Sequence, residues 1–420
     1  MSNYLVMLEN HLAPEQSAAV ARLQTAASDQ GMNLFLSGRS TRDMFAGARV
    51  RDLDFVVEGS ASKLARTLTD ATVTEANEIS KSAMLLFPSG VEARILTARE
   101  ETYARAGGKP KLNPSGIHEH LQTRDFTIHA IALSLSRASR GLLLDPTNGL
   151  SDLTQRELRA VGKHSLHDVP ARLLQLIRLK AQLGFTIAAK TQAQYTNART
   201  EALEKHIAAD AILEELRQAA RDPNPLPILE AWAAEGLLSD VSPALSGPRL
   251  NAQGFARLAK ARQALPFDIP VQVDDFALFL YVLAEKLSPK ERAELVAKTG
   301  LGTEAVEGWQ KLEARSAKLG KEVAAATKPS KVWLALRNAP AERALLLLMT
   351  STSRAVTERI RNYFSRYLQT AAEVTDEEVA AAAGAAPGAP KFERRKVELI
   401  AKRLDARPKR VVEEPTPEEA

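Results

Sequence analysis

Residues 35–59 read FLSGRSTRDMFAGARVRDLDFVVEG, and the interpretation of the whole chain starts from this stretch. Its two apolar ends predict strands, and the glycine and basic residues between them predict a tight turn and a short helix. Asp52 and Asp54 stand one residue apart in the second strand, so we expect both carboxylates on one face. Two such carboxylates, completed by substrate phosphates, are a usual Mg²⁺ site. An ordinary charged strand end would show the same short pattern.

The composition is that of a soluble protein with more than one domain. The chain has 420 residues, of which 45% are hydrophobic and 25% charged. It contains no cysteine, which excludes disulfides and thiolate chemistry and favours a reducing cytoplasm. No apolar run approaches the ~20 residues of a membrane span, and no signal peptide is apparent. The net charge of +5 permits a polyanionic partner.

The opening stretch resembles the signature of the class II tRNA nucleotidyltransferases (CCA-adding enzymes) and bacterial poly(A) polymerases. That signature reads G-G-x-V-R-D, a short spacer, and D-x-D. The matching positions are Gly38, Thr41, Arg42, Asp43, Asp52 and Asp54. Arg39 stands where the family has its second glycine.

The resemblance implies an α+β protein, with a mixed-sheet nucleotidyltransferase head followed by an elongated all-α neck, body and tail. From about residue 186 onward, apolar positions recur at helical spacing, which agrees with a helical remainder. We therefore expect a head at 1–160, a neck that binds nucleotide and RNA at 161–250, a body at 251–370, a tail at 371–405 and a disordered end at 406–420.

A second motif, LQTRDFTIHAIAL at residues 121–133, resembles the family pattern R-R-D-F-T-I-N-A-x-A. Thr123 replaces the first arginine and His129 replaces the asparagine. An arginine here holds a phosphate, the base or the ribose by forked hydrogen bonds. We expect the loss of one of the two arginines to weaken triphosphate binding and to leave the fold intact.

The strand in VEARILTAREETYARAGGKPKLNPSG, residues 91–116, resembles the one that supplies a third carboxylate in the family, followed by A-R-x-E-x-Y and a flexible basic loop. Counting back from that motif puts Arg94 at the position of the third carboxylate. A guanidinium there would pair with Asp52 and Asp54 where a metal ion should lie.

The segment HSLHDVPARLLQLIRLKAQLGF, residues 164–185, resembles the family's E-D-x-x-R-x-x-R helix, whose aspartate and first arginine read the edge of the incoming base. Spacings of three and four predict Asp168, Arg172 and Gln175 on one helix face. Val169 stands in place of the base-reading aspartate and can form no such hydrogen bond. Selection between CTP and ATP by the family's route is therefore not expected.

The resemblance implies Mg²⁺-dependent transfer of nucleotides from ATP or CTP to the 3′ end of an RNA, expected to be a tRNA, with no membrane or DNA partner. Asp52 and Asp54 are the expected catalytic and metal-binding residues. The expected nucleotide-binding residues are Gly38, Arg39, Arg42, Asp43, Arg124, Asp125, Asp168, Arg172, Gln175 and Arg178. The alternative is a catalytically inactive RNA-binding paralogue, suggested by departures at Arg39, Arg94, Thr123, Val169 and Gln175.

Overall fold

The computed structural model describes residues 3–77, 81–245, 247–267, 269 and 271–406. The chain divides into two compact units between Ile212 and Leu213. The predicted fold class is confirmed, since a mixed sheet in the first unit is followed by helices. The finer division into head, neck, body and tail stays a prediction. Of the end expected to be disordered, residues 407–420 lie outside the described part. Among the described residues of the whole chain, no helix is long and apolar enough to cross a membrane.

The described residues of the first unit form eleven strands. They are β1 (Asn33–Ser37), β2 (Leu53–Glu58), β3 (Thr72–Asn77), β4 (Ser82–Leu86), β5 (Glu92–Thr97), β6 (Arg99–Thr102), β7 (Lys111–Pro114), β8 (Ala132–Ser134), β9 (Leu143–Leu144), β10 (Glu157–Leu158) and β11 (Thr186–Ile187).

Helices surround these strands along the chain. They are α1 (Asn3–His11), α2 (Pro14–Asp29), α3 (Arg39–Phe45), α4 (Ala61–Thr67), α5 (Ile117–Gln122), α6 (Gly149–Gln155), α7 (Ser165–Asp168), α8 (Ala171–Leu183), α9 (Ala189–Thr200) and α10 (Ala209–Ala220), the last of which crosses the division. Short 3₁₀ turns lie at Thr127–His129, Arg137–Ser139 and Leu203–His206.

Seven strands form the main sheet, in the order β3-β4-β5-β2-β1-β8-β9. Strands β2 and β5 are parallel, whereas the other neighbours are antiparallel, which makes the sheet mixed. Phe55 and Val57 on β2 join the larger core, which also includes residues of α1, α2 and α4. Val56 points to the opposite face and joins a smaller cluster that includes Leu121 of α5. Alternation along β2 places the Asp54 side chain on the Val56 side.

The second unit is helical in its described residues. Its helices are α11 (Leu226–Ala234), α12 (Leu237–Val241), α13 (Ala252–Arg262), α14 (Asp275–Ala284), α15 (Pro289–Thr299), α16 (Thr303–Gln310), α17 (Leu312–Ala325), α18 (Pro329–Arg337), α19 (Ala341–Thr350), α20 (Arg354–Asn362), α21 (Leu368–Ala372), α22 (Asp376–Ala383) and α23 (Pro390–Ala406). A short π-helical segment, Tyr363–Tyr367, joins α20 to α21.

Candidate active site

Asp54 lies in β2, whereas Asp52, predicted in the same strand, directly precedes it. Both carboxylates converge on the guanidinium of Arg39, the first residue of α3. Arg39 Nε lies 3.0 Å from Asp54 Oδ2, and Nη2 lies 3.3 Å from Asp54 Oδ1. Nη1 of the same side chain lies 3.4 Å from Asp52 Oδ2. The expectation that both carboxylates point the same way is therefore confirmed. The guanidinium placed on both of them is that of Arg39, whereas the sequence had pointed to Arg94.

Ser40 fixes the start of β2 against α3. Its hydroxyl donates to the Asp52 carbonyl at 2.7 Å and accepts from the Asp54 amide at 2.7 Å. Ser40 itself is fully buried. The Ser40 hydroxyl thus holds the backbone that carries the two carboxylates, and these hydrogen bonds do not depend on the Arg39 ion pairs.

Arg94 lies on the neighbouring parallel strand β5, in direct register with Asp54. Arg94, the residue that the family resemblance puts at the position of a third carboxylate, thus brings a positive charge next to Asp54.

The charge around Asp54 favours its ionised form. Burial alone would raise the pKa of Asp54, but the Arg39 guanidinium, with smaller contributions from Arg94 and Arg124, holds this pKa below its ordinary value. Asp54 is therefore a carboxylate at neutral pH.

Gly38 and Arg124 complete the surroundings of Asp54. Gly38 has a φ of +69°, and a Cβ placed on it would lie 3.5 Å from Asp54 Oδ2 and 3.9 Å from Arg124 Nη2. The glycine thus lets the turn after β1 approach the carboxylate closely. The Nε atom of Arg124 is buried, and it has no hydrogen-bond partner in the described part of the chain. A partly exposed guanidinium with an unbonded Nε beside the carboxylates is suited to an anionic ligand.

A second group of side chains forms one hydrogen-bonded network. Arg42 donates to Asp43 Oδ1 from Nε at 2.9 Å and from Nη2 at 2.6 Å. The Nη1 atom of Arg42 lies 3.0 Å from Nε2 of His129, whose Nδ1 lies 3.1 Å from Asp125 Oδ2. Gln175 on α8 donates to the same Asp125 oxygen. The network therefore joins α3, the 3₁₀ turn after α5, and α8.

The titration of this network follows from its burial and charges. Burial raises the pKa of Asp125, yet His129, Arg124 and Arg172 outweigh that effect and hold it well below its ordinary value. Burial lowers the pKa of His129, with Arg42 and Arg124 acting in the same direction against Asp125. His129 is therefore neutral at neutral pH.

A third cluster comes from the A-R-x-E-x-Y motif, which the expected site had left out. Arg99 Nη2 donates to Glu101 Oε1 at 2.8 Å, and the Tyr103 hydroxyl donates to Glu101 Oε2 at 2.7 Å. Burial and the Glu101 carboxylate raise the pKa of Tyr103. His120 lies beside this cluster, with its Nδ1 atom 3.1 Å from the Arg99 carbonyl oxygen. The sequence indicates this cluster through the alternation of Arg99, Glu101 and Tyr103, which places their side chains on one strand face.

The segment expected to read the base is broken, which contradicts its prediction as one helix face. Asp168 ends α7, whereas Arg172 and Gln175 belong to α8, because Pro170 disfavours helical geometry at the preceding Val169. Asp168 lies 3.3 Å from the ring of His167, and its carbonyl accepts from the Gly107 amide.

Arg172 instead binds protein atoms. It donates to Ser165 Oγ at 2.7 Å and to the Thr123 carbonyl at 3.3 Å. Arg178 is buried on α8 and donates to Gln182 Oε1 at 3.2 Å. The structure thus collects Gly38, Arg39, Asp52, Asp54 and Arg124 in one place, and links Arg42, Asp43, Asp125 and Gln175 in the adjoining network.

The donor set decides whether a metal ion fits. In the part of the chain that the structure describes, no group of three or more His, Asp or Glu side chains is arranged to hold a metal. The two carboxylates that converge are bound by Arg39. They suit a Mg²⁺ ion whose remaining ligands are substrate phosphates and water, once the guanidinium has moved away.

Comparison with known proteins places this site in a family. Residues 34–159 match the poly(A) polymerase head-domain model. An A-adding tRNA nucleotidyltransferase of Aquifex aeolicus is 27% identical over 341 residues, which are 80% of this chain and 40% of that protein. A CC-adding tRNA nucleotidyltransferase of Deinococcus radiodurans is 32% identical over 232 residues, which are 54% of this chain and 61% of that protein. The chain spans about half the length of the curated relatives it matches.

A solved structure of a tRNA nucleotidyltransferase with a primer tRNA and an incoming ATP analogue is also similar. It superposes with a TM-score of 0.53 at 25% identity and covers 83% of this chain and 98% of that one. Residues 34–159 thus carry a poly(A) polymerase head domain, and the mixed sheet followed by helices makes the chain similar to the class II tRNA nucleotidyltransferases.

Proposed function

We propose that this protein is a template-independent RNA nucleotidyltransferase that uses ATP or CTP, with Mg²⁺, to extend the 3′ end of a tRNA. The observation that carries the proposal is the convergence of Asp52 and Asp54 on one point, beside the incompletely bonded guanidinium of Arg124. Relatives that are A-adding and CC-adding enzymes support the choice of tRNA as acceptor.

The chain's own residues would act on the triphosphate by charge and position. Asp52 and Asp54 would hold the cation, which when bound supplies charge neutralisation for the attacking hydroxyl and the departing pyrophosphate. Arg124 would pair with a phosphate oxygen, since its Nε is buried without a partner in the described structure. Gly38 keeps the turn clear of side-chain atoms where the phosphates must approach.

Nucleotide selection is proposed to differ from the family pattern. Val169 cannot donate or accept a hydrogen bond with its side chain. Arg172 is engaged with Ser165 and Thr123, which leaves fewer of its donors for a base. Under this proposal, discrimination between CTP and ATP is weaker than hydrogen-bonded base reading would give.

The test is incorporation of labelled nucleotide. Purified protein is incubated with Mg²⁺, one labelled triphosphate at a time, and tRNA that ends before or within its terminal CCA. The matched control is the double variant Asp52→Ala with Asp54→Ala, prepared in the same way. Incorporation that disappears in the double variant supports the proposal, whereas no incorporation above that control with any triphosphate contradicts it.

A noncatalytic RNA-binding protein is the second candidate, and two observations favour it. Arg39 is bound to both carboxylates, and Arg94 stands where the family has a third carboxylate. This candidate predicts tRNA binding at low salt that is unchanged in the double aspartate variant, together with absence of incorporation. Lack of tRNA affinity at low salt would exclude it.

A further inference from the structure

Arg39 occupies the position between the two carboxylates that the proposed function assigns to a metal ion. Three of its nitrogen atoms lie within 3.4 Å of carboxylate oxygens of Asp52 or Asp54. A guanidinium and a divalent cation cannot both lie between the same oxygens. The binding of one therefore requires the departure of the other.

The ion pairs neutralise a pair of carboxylates that would otherwise repel each other. The side chains of Arg39, Asp52 and Asp54 are 22%, 29% and 15% exposed. At this level of burial, a carboxylate is costly to leave unpaired. Charge-assisted, forked hydrogen bonds are also the stronger ones that arginine forms. A free divalent cation must compete with this internal partner.

We propose that Arg39 is an internal counter-ion that closes the Asp52–Asp54 site to free metal ions, and that the site opens only when metal and triphosphate arrive together. The triphosphate offers the guanidinium new phosphate oxygens at the moment when the metal takes its carboxylates. The Arg39 side chain is 22% exposed and stands at the first position of α3, so its departure from the carboxylates is expected to leave α3 folded.

A glycine, which the resembling family pattern has at this position, would leave the two carboxylates without this partner. Arg39 is therefore a positioning residue, which acts on the metal through the two carboxylates. The part of the inference that concerns the triphosphate rests on the proposed function. The part that concerns the free metal ion does not, and it is tested without nucleotide.

The experiment measures Mn²⁺ binding to the nucleotide-free protein by electron paramagnetic resonance, with the melting temperature in Mg²⁺ as a second readout. Arg39→Gly is expected to raise the Mn²⁺ affinity by about tenfold or more, because the metal ion then no longer competes with the charge-assisted hydrogen bonds of Arg39. Mg²⁺ is expected to raise the melting temperature of this variant and to leave that of the unaltered protein unchanged. Arg39→Lys keeps the charge without the fork, and its affinity is expected to be intermediate.

The matched control is Arg51→Ala, which removes a positive charge one residue from Asp52. Arg51 is exposed in the structure, and this variant is expected to bind Mn²⁺ as the unaltered protein does. Equal Mn²⁺ affinity of Arg39→Gly and the unaltered protein would overturn the inference, and so would an equal gain in Arg51→Ala. If Arg39→Gly fails to fold, Arg39→Lys decides by the same comparison.

A second experiment, with nucleotide present, tests whether triphosphate binding opens the site to the metal ion. A nonhydrolysable ATP or CTP analogue is expected to raise the Mn²⁺ affinity of the unaltered protein and to change that of Arg39→Gly much less. An equal effect on both proteins would overturn the coupling. An Arg39→Gly variant that gains Mn²⁺ affinity but incorporates no nucleotide would contradict the proposed function and leave the counter-ion role intact.

Discussion

Nη1 of Arg42 lies 3.0 Å from Nε2 of His129. A guanidinium can only donate, so this ring nitrogen must accept and carries no proton. The other ring nitrogen, Nδ1, then carries the proton and donates to Asp125 at 3.1 Å. The contact with Arg42 thus fixes both the charge and the tautomer of His129, and protonation of the ring would place two cations in contact.

The first prediction is a loss of stability in mild acid, to which His120 and His129 both contribute. Both histidines have a pKa below the ordinary 6.5, to about 4 for His120, chiefly because they are buried. The unfolded chain binds more protons below pH 6.5, so the free energy of unfolding falls as pH decreases from there. For His120, the drop approaches about 3 kcal/mol near its folded pKa. Urea unfolding at several pH values measures it.

The control separates one histidine from the carboxylates that titrate at lower pH. His129→Asn restores the amide that the family pattern has at this position and removes one titrating group. This variant is expected to lose less stability between pH 6.5 and pH 5 than the unaltered protein. His118→Asn alters an exposed ring and should follow the unaltered protein. An identical loss in both variants would contradict the assignment to His129.

The second prediction concerns Asp152, which is buried and accepts a hydrogen bond from Thr127, a residue of the 3₁₀ turn that carries His129. Thr127 Oγ1 donates to Asp152 Oδ2 at 2.6 Å, and Arg159 Nε donates to the same oxygen at 3.1 Å. Asp152→Ala leaves a buried hydroxyl without its acceptor, so a loss of about 2 to 4 kcal/mol in the free energy of unfolding is expected. Thr127→Val removes one hydrogen bond only and is expected to cost less. Chemical denaturation compares them, and equal costs would contradict the shared role of Asp152.

The sequence predicted the strand, turn, helix and strand order around the carboxylates because Gly38 and the apolar runs of β1 and β2 act locally. It also predicted Arg94 near the carboxylates, because the resemblance to the family motif that follows β5 supplied the position of that residue. It did not predict that Arg39 would be the residue bound to both carboxylates. That contact depends on how α3 packs against β2, which no local pattern reports.

The break between α7 and α8 was missed for a different reason. The spacing of Asp168, Arg172 and Gln175 fits one helix, but Pro170 overrides that periodic pattern. The residue before a proline is pushed out of helical geometry, so the first helix ends at Asp168, before Val169. The partner of Gln175 is Asp125, fifty residues away in sequence, and such pairing emerges only from the fold.

The third prediction uses two glycines with positive φ. Gly38 and Gly47 have φ of +69° and +73°, a backbone conformation that alanine rarely adopts, so an alanine at either position is strained. The ψ of −127° at Gly38 also lies outside the left-handed helical region, which makes an alanine there costly. A Cβ at Gly38 would lie against Asp54 and near Arg124, whereas nothing lies within 4 Å of one at Gly47. We expect a loss of stability in both variants and a loss of nucleotide incorporation in Gly38→Ala only. Thermal unfolding and the incorporation assay measure the two effects.

Equal activity of the two alanine variants would show that the space beside Gly38 is not used by a substrate. Incorporation that Gly38→Ala loses only at temperatures where the variant is unfolded would show that its effect on activity arises through unfolding. The comparison therefore separates a backbone requirement from a requirement of the site.

The fourth prediction concerns Arg124, whose buried Nε lacks a hydrogen-bond partner in the described part of the structure. The missing hydrogen bond of this Nε costs stability, and that cost offsets the favourable charge of Arg124 beside Asp54 and Asp125. Arg124→Ala is therefore expected to change the free energy of unfolding by less than about 1 kcal/mol. Loss of its phosphate contact is expected to raise the KM for the triphosphate about tenfold or more. Initial rates at varied ATP and CTP concentrations measure it.

Arg124→Lys makes this test more specific, because a lysine keeps the positive charge but lacks the paired N–H donors of the guanidinium. If the guanidinium grips a phosphate through two hydrogen bonds, the lysine variant should recover only part of the lost affinity. Arg51→Ala removes an exposed positive charge near the site and should leave KM unchanged. If Arg124→Ala instead lowers stability strongly at unchanged KM, Arg124 serves the fold by neutralising Asp54 and Asp125, and the triphosphate must be held by other residues.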